Sequence, residues 1–129
     1  VPDMPVADFL RAIDEVTEIV SPNETMIVFT GGEALVRRDL EQAGLALHKR
    51  GFPWGIVTNG MLMDKKRLDS LLVAGLRAVT ISFDGMEESH NWLRGSAKSY
   101  ANALNSFIVR IRSSCNRIRS LSPKHSVVR

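Results

Sequence analysis

The chain has 129 residues, 44% of them hydrophobic, which is enough for one buried core and too few for two ordinary domains. No apolar run approaches the roughly 18 residues that a membrane helix needs, and no basic and then apolar leader opens the sequence, so we expect a soluble, cytoplasmic protein without a membrane partner. The single cysteine, Cys115, allows neither an internal disulfide nor a multi-cysteine metal site within one chain, and we expect a free thiol.

The positive charge is concentrated at the C-terminal end. The formal net charge is +3, yet residues 1–98 hold 11 basic against 14 acidic residues, and residues 99–129 hold six basic residues and no Asp or Glu. The six are Arg110, Arg112, Arg117, Arg119, Lys124 and Arg129. A basic segment can bind nucleic acid, but no aromatic residue follows Phe107 to stack on bases. We therefore expect a core over residues 1–105 and a solvated or disordered tail over 106–129, without a nucleic-acid partner.

Apolar periodicity and end signals predict alternating helices and strands. In the first helix Phe9, Ile13 and Val16 fall four and three residues apart, which places them on one face. The third helix starts after Asp64, a residue type that caps helix N-termini, and Gly51 and Gly75 are placed to end the second and third helices. The expected elements are helices over about 5–20, 35–49, 65–73 and 98–110, and strands over 26–29, 54–57 and 78–81.

A helix separates each expected strand from the next. This excludes hairpins and predicts parallel pairing through right-handed crossovers, an α/β fold of parallel βα repeats. With about three to four strands the sheet has open edges and an uncovered face, so we expect self-association through the sheet.

Polar residues follow every expected strand. The strand ends read Thr30-Gly31-Gly32-Glu33, then Thr58-Asn59-Gly60, then Ser82 followed by Asp84-Gly85. Taken alone, each of these strand ends is an ordinary turn. Glu33 alone is also explained by the favourable interaction of a carboxylate with the positive N-terminal end of the helix that follows. In a parallel sheet, however, the carboxyl ends of the strands meet on one edge. The joint pattern predicts one ligand site built from three loops.

The order and spacing of these strand ends are similar to the core of the radical S-adenosylmethionine (radical SAM) family. Residues 79–85, followed by His90-Asn91-Trp92-Leu93-Arg94-Gly95, further resemble the group of anaerobic sulfatase maturases, pyrroloquinoline quinone synthesis proteins and peptide-modifying enzymes. The resemblance extends from about residue 3 to residue 103. It implies a full or partial βα barrel, of which this chain would hold part.

The resemblance also implies a cofactor and its ligands. In the family, a Cys-x3-Cys-x2-Cys loop holds a [4Fe–4S] cluster that binds S-adenosylmethionine and cleaves it to a 5′-deoxyadenosyl radical. The glycines would then let the backbone approach the methionyl ammonium, Glu33 would compensate its charge, and Arg94 would pair with the carboxylate. Ser82 and Asp84 would face the ribose or carboxylate. The implied cofactor-binding residues are Thr30, Gly31, Gly32, Glu33, Thr58, Asn59, Ser82, Asp84 and Arg94.

The sequence departs from the family in two respects. It has no Cys-x3-Cys-x2-Cys loop, and after about Asn105, where another parallel strand is expected, residues 113–117 and 120–124 are polar and broken. We expect residue 1 to follow that loop in a longer enzyme, so that this chain is an internal piece, inactive alone, whose cluster is ligated elsewhere. Its parent would modify a cofactor, peptide or protein. The alternative is a non-radical α/β domain that binds a nucleotide or phosphorylated metabolite at its strand ends, although no Gly-x-Gly-x-x-Gly or phosphate-loop motif occurs.

Four aromatic or histidine residues have other expected roles. We interpret His90 as a supporting or packing residue rather than a catalyst, and His48 as exposed beside Lys49 on its helix. Trp54 and Trp92 are expected in the core, because large aromatic side chains are more often buried than used as cofactor platforms.

Overall fold

A computed structural model describes residues 4–105, so the basic tail and Cys115 lie outside the described residues. The elements are α1 (Val6–Thr17), β1 (Ile27–Phe29), α2 (Leu40–Lys49), β2 (Trp54–Thr58), α3 (Lys65–Val73), β3 (Leu76–Ile81) and α4 (Glu87–Arg94). Two short 3₁₀ helices, Pro22–Glu24 and Ala34–Val36, flank β1, and residues 99–105 are helical.

The strands form one parallel sheet in the order β1-β2-β3. This confirms the predicted α/β class with parallel βα repeats. Phe29 pairs with Ile56, and Ile56 pairs with Val79, so these three side chains lie on one face. That face packs against the helices and forms the core. The strand ends consequently share one edge, as predicted.

The core is centred on Trp54, which is fully buried as the sequence indicates. Its indole nitrogen donates a hydrogen bond to the carbonyl of Ala74, 3.1 Å away, so the polar end of the ring is satisfied. Helix α2 lies directly on the ring, because a Cβ added to Gly44 would come within 2.1 Å of Trp54 Cζ2. Only a residue without a side chain allows this helix to approach the sheet so closely.

The opposite face of the sheet, which we call the open face, carries Val28, Gly55, Val57, Ala78 and Thr80 in alternation with the core residues. Val28 is 47% exposed there. These residues are small or β-branched, which suits a strand surface.

An ion pair connects the first two helices at one end. Arg50, just after α2, donates from Nε to Asp14 Oδ1 at 2.6 Å and from Nη2 to Oδ2 at 3.1 Å. The hydrogen bond from Arg50 holds the pKa of Asp14 below its ordinary value of 3.8. This two-pronged geometry is the one that suits a guanidinium and a carboxylate.

The helix predictions needed two corrections at their ends. The first helix ends at Thr17 rather than near residue 20, and the second begins at Leu40 rather than at residue 35. The second error has a local cause, because Arg37 is extended with ψ 120° and separates the 3₁₀ helix Ala34–Val36 from α2. The third helix is confirmed, with Asp64 accepting a hydrogen bond from the Arg67 amide at 2.6 Å.

Helix α4 was not predicted, and the prediction for Trp92 was wrong. Trp92 lies on this helix and is 80% exposed, whereas His90 is the one residue of α4 that is buried. The helix predicted over 98–110 is seen over 99–105, and its remainder lies outside the described residues. Within residues 4–105 no helix is long and apolar enough to cross a membrane.

Candidate functional site at the strand ends

The carboxylate of Glu33 connects the ends of the first two strands. Oε1 accepts a hydrogen bond from the Thr58 hydroxyl at 2.6 Å, and Oε2 accepts one from the Asn59 amide at 2.7 Å. Oε1 also accepts from the Leu35 amide at 3.0 Å, which caps the 3₁₀ helix that follows. Hydrogen bonds to an ionised acceptor are among the strongest in proteins. Glu33 is thus fixed in place before any ligand arrives.

The loop after β2 is preorganised in the same way. The Thr58 hydroxyl, which is buried, donates to Glu33 and accepts from the Gly60 amide at 3.1 Å. The side-chain oxygen of Asn59 accepts from the Met61 amide at 2.8 Å, so it stabilises the turn. The side-chain nitrogen is the group of Asn59 that could meet a ligand.

Beside Glu33 lies a cavity of about 360 Å³. It is lined by Phe29, Thr30, Gly31, Gly32, Glu33, Ala34, Val36 and Arg37. Gly31 has a φ of +103°, a conformation that side chains disfavour, whereas Gly32 has an ordinary φ. Apart from each glycine and its two chain neighbours, no atom of residues 4–105 lies within 4 Å of the position of a Cβ at Gly31 or Gly32. The glycine backbone therefore borders open space.

The end of β3 contributes an ion pair. The amide of Ser82 donates to the carbonyl of Thr58 at 3.0 Å, which ties this loop to the end of β2. Two residues later, Asp84 Oδ2 accepts from Arg94 Nε at 2.5 Å. The Asp84 amide donates to Nδ1 of His90 at 3.0 Å. Arg94 is thereby brought from the end of α4 to the loop after β3.

The predicted site residues form two clusters at the same edge of the sheet. Glu33, Thr58 and Asn59 are in direct contact, with Thr30, Gly31 and Gly32 lining the adjoining cavity. Asp84 and Arg94 form the second cluster. The backbone of Ser82 is hydrogen-bonded to Thr58 of the first cluster, and Ser82 precedes Asp84 of the second cluster by two residues.

Sequence reasoning missed Arg37, which lines the cavity. Its guanidinium lies against Asp39, with Nε 2.6 Å from Oδ1, and Nη2 donates to the Met4 carbonyl at 2.8 Å. In the sequence, Arg37 is marked only by its position four residues after Glu33. The predicted continuous helix over 35–49 placed Arg37 inside that helix and not in the loop beside the cavity. Arg37 therefore lines the cavity as a guanidinium that is already paired with Asp39.

Comparison with known proteins identifies the family. The model of the Radical SAM superfamily matches residues 2–109. The chain belongs to the radical SAM superfamily. It is also similar to Fe-coproporphyrin III synthase of Methanosarcina barkeri (strain Fusaro / DSM 804), with 34% identity over 92 residues. Those residues are 71% of this chain and 22% of that enzyme. The chain therefore matches a limited part of the relative's length.

The family resemblance seen in the sequence is confirmed, and the narrower group remains a prediction. Radical SAM enzymes use S-adenosylmethionine and a [4Fe–4S] cluster. The residues at the strand ends fit the first of these. An ionised carboxylate can accept about four hydrogen bonds, and Glu33 accepts three, so capacity remains for an ammonium group beside the open glycine backbone. They do not fit the cluster, because Cys115 is the one cysteine of the sequence.

Proposed function

We propose that this chain holds the methionine end of S-adenosylmethionine and is part of a longer radical SAM enzyme. The observation that carries the proposal is the fixed Glu33 carboxylate at the edge of a glycine-lined cavity. In the longer enzyme, a cluster that has received one electron would pass it to bound S-adenosylmethionine, which would release methionine and a 5′-deoxyadenosyl radical. The residues of this chain bind and orient the cofactor, and we assign the cluster to cysteines outside it.

We assign the ammonium group to the first cluster. Glu33 would accept a charge-assisted hydrogen bond from it, and the carbonyls of the glycine turn would supply further acceptors. Thr58 and Asn59 hold Glu33 in position, since both already donate to its carboxylate. Because these donors are in place beforehand, binding requires little reorganisation of the site.

We assign the cofactor's carboxylate to Arg94. Its Nε is occupied by Asp84, and the two terminal nitrogens of a guanidinium form a fork that matches a second carboxylate. Asp84 would fix the plane of that fork, and Ser82 would lie nearest the ribose or carboxylate. The cofactor would then span both clusters at the strand ends.

The class of final product is also a proposal. The relative is named as the synthase of Fe-coproporphyrin III, and this favours a small-molecule cofactor over a peptide or protein as the group that the parent enzyme modifies. We also propose a cytoplasmic location for the parent enzyme.

Replacing Gly32 by Ala tests the cavity directly. Beyond the adjacent residues, the added methyl meets no atom of residues 4–105, and the φ of Gly32 is not positive, so the free energy of unfolding should not fall. The methyl would occupy the ligand's space, and we expect the affinity for S-adenosylmethionine, measured by titration calorimetry, to fall by about tenfold or more.

The matched control is Ser21→Thr, which adds one methyl before β1, at the opposite end of the strand. It should leave both affinity and stability unchanged. Equal affinity of Gly32→Ala and the wild type would contradict the proposal. Binding of adenosine monophosphate in preference to S-adenosylmethionine would support the alternative of a nucleotide-binding domain.

The existence of a longer parent enzyme is tested by reading the gene and by assaying its full product. We expect the reading frame upstream of residue 1 to encode Cys-x3-Cys-x2-Cys. The longer product, reconstituted anaerobically with iron and sulfide and reduced with dithionite, should release 5′-deoxyadenosine from S-adenosylmethionine. A reconstituted cluster without this product would overturn the assignment.

A further inference from the structure

His90 is fully buried and has a hydrogen bond at each ring nitrogen. Nδ1 lies 3.0 Å from the backbone nitrogen of Asp84, and Nε2 lies 3.0 Å from the hydroxyl oxygen of Ser99. The rings of Phe83 and Tyr100 flank the imidazole, with centroids 5.9 and 5.8 Å away. No step of the proposed function uses this residue.

The partners of His90 determine where its proton lies. A backbone N–H can only donate, so Nδ1 must accept and carries no hydrogen. The neutral ring then has its hydrogen on Nε2, which donates to Ser99. The imidazole thus bridges the loop after β3 to the segment after α4.

The bridge acts on the ion pair of the second cluster. Asp84 has its amide held by His90 while its carboxylate accepts from Arg94 Nε at 2.5 Å. The imidazole Nδ1 is 3.8 Å from the same carboxylate oxygen, and its lone pair is already used by the amide. His90 therefore fixes the backbone of Asp84 and leaves the carboxylate to Arg94.

We propose that His90, as the neutral Nε2–H tautomer, is a positioning residue that orients Arg94 through Asp84 for the carboxylate of S-adenosylmethionine. This inference rests on the proposed function for its ligand. It assigns His90 no contact with the cofactor and no proton transfer.

Two substitutions separate the two hydrogen bonds of the ring. In His90→Asn, Oδ1 replaces Nδ1 and can still accept from the Asp84 amide, while the bond to Ser99 is lost. In His90→Gln, Nε2 can still donate to Ser99, while the bond from Asp84 is lost. We expect about a tenfold loss of affinity for S-adenosylmethionine in His90→Gln and less than about threefold in His90→Asn.

A double-mutant cycle tests whether the effect passes through Asp84. In an Asp84→Asn background, His90→Gln should cause little further loss of affinity. His48→Gln, at an exposed histidine, is the control and should bind as the wild type does. Equal losses in His90→Asn and His90→Gln, or a full additional loss in the Asp84→Asn background, would overturn the proposal.

Nuclear magnetic resonance of the ligand-free chain gives a readout that is independent of the cofactor. The ¹⁵N spectrum should show His90 as the Nε2–H tautomer, and the Arg94 Nε–H resonance should move in His90→Gln but not in His90→Asn.

If the wild type fails to bind S-adenosylmethionine, the proposed function fails, and the Arg94 Nε–H resonance still decides whether His90 positions Arg94. If His90→Gln does not fold, Ser99→Ala replaces it: wild-type affinity and an unmoved Arg94 resonance support the proposal, and a loss like that expected for His90→Gln contradicts it.

Discussion

Glu33 combines two tasks that are usually separate. Its carboxylate caps the 3₁₀ helix through Leu35 and joins the loop after β2 through Thr58 and Asn59. An acidic residue at the start of a helix is usually explained by capping alone. The second task makes Glu33 a structural connection between two strands as well as a candidate ligand.

Replacing Glu33 by Gln should therefore destabilise the fold. The amide keeps one acceptor oxygen and turns an NH₂ group toward a backbone or hydroxyl donor, so at least one of the three hydrogen bonds is lost. We expect the free energy of unfolding in urea to fall by about 1 to 3 kcal/mol. The control is Glu24→Gln, at an exposed position, for which a similar loss would argue against this role of Glu33.

At the residue scale the sequence indicated which side chains lie at the strand ends but not how they pair. The spacing of the strands was enough to place Glu33, Asn59 and Ser82 on one edge, because parallel strands end together. The contact of Arg94 with Asp84 depends on α4, which folds back toward the loop after β3. No local pattern encodes that path.

At the scale of elements, the ion pair between Asp14 and Arg50 makes a contribution to stability that depends on pH. The pKa of Asp14 is lowered by its hydrogen bond from Arg50. A carboxyl with a lowered folded-state pKa stabilises the fold above its unfolded-state pKa and loses that effect as the pH falls through the folded-state value.

The wild type should thus be more stable than Asp14→Asn at neutral pH. The difference should begin to shrink as the pH falls toward the ordinary Asp pKa of about 3.9 and should disappear only below the lowered pKa of Asp14 in the folded chain. Urea unfolding at several pH values, with the Asp14 carboxyl followed by nuclear magnetic resonance, checks this. Glu15→Gln, on the same helix, should show no comparable change. A stability difference that does not vary with pH would contradict the prediction.

Helix α4 shows why sequence periodicity has limits. It has eight residues, its buried member is His90, and Trp92 and Leu93 are 80% and 59% exposed. A pattern of apolar residues on one face is the main helical signal, and here the buried position is polar. By contrast, α3 buries Leu68 and Leu71 and was predicted with correct ends.

At the scale of the whole molecule, the open face and the edge of β1 are the surfaces through which we expect two chains to associate. A parallel sheet is normally covered on both faces, and Val28 is 47% exposed on this one. We predict that the wild-type chain forms dimers or larger species through the sheet. Light scattering after size-exclusion chromatography measures the mass.

Val28→Lys should shift the chain toward the monomer, because a charge on an exposed strand opposes pairing. Ile19→Lys is the control, since Ile19 is 84% exposed just beyond α1 and outside the sheet; it should leave the mass unchanged. A monomeric wild type would reject self-association.

The exposed Trp92 and the buried Trp54 give the chain two optical probes. Trp54 has no exposed surface, and Trp92 is 80% exposed on α4, whose last residue is Arg94. An aqueous quencher such as iodide reaches the second ring and not the first. The fluorescence that survives quenching reports on unfolding of the core, while the quenched part reports on changes around α4, without any attached dye.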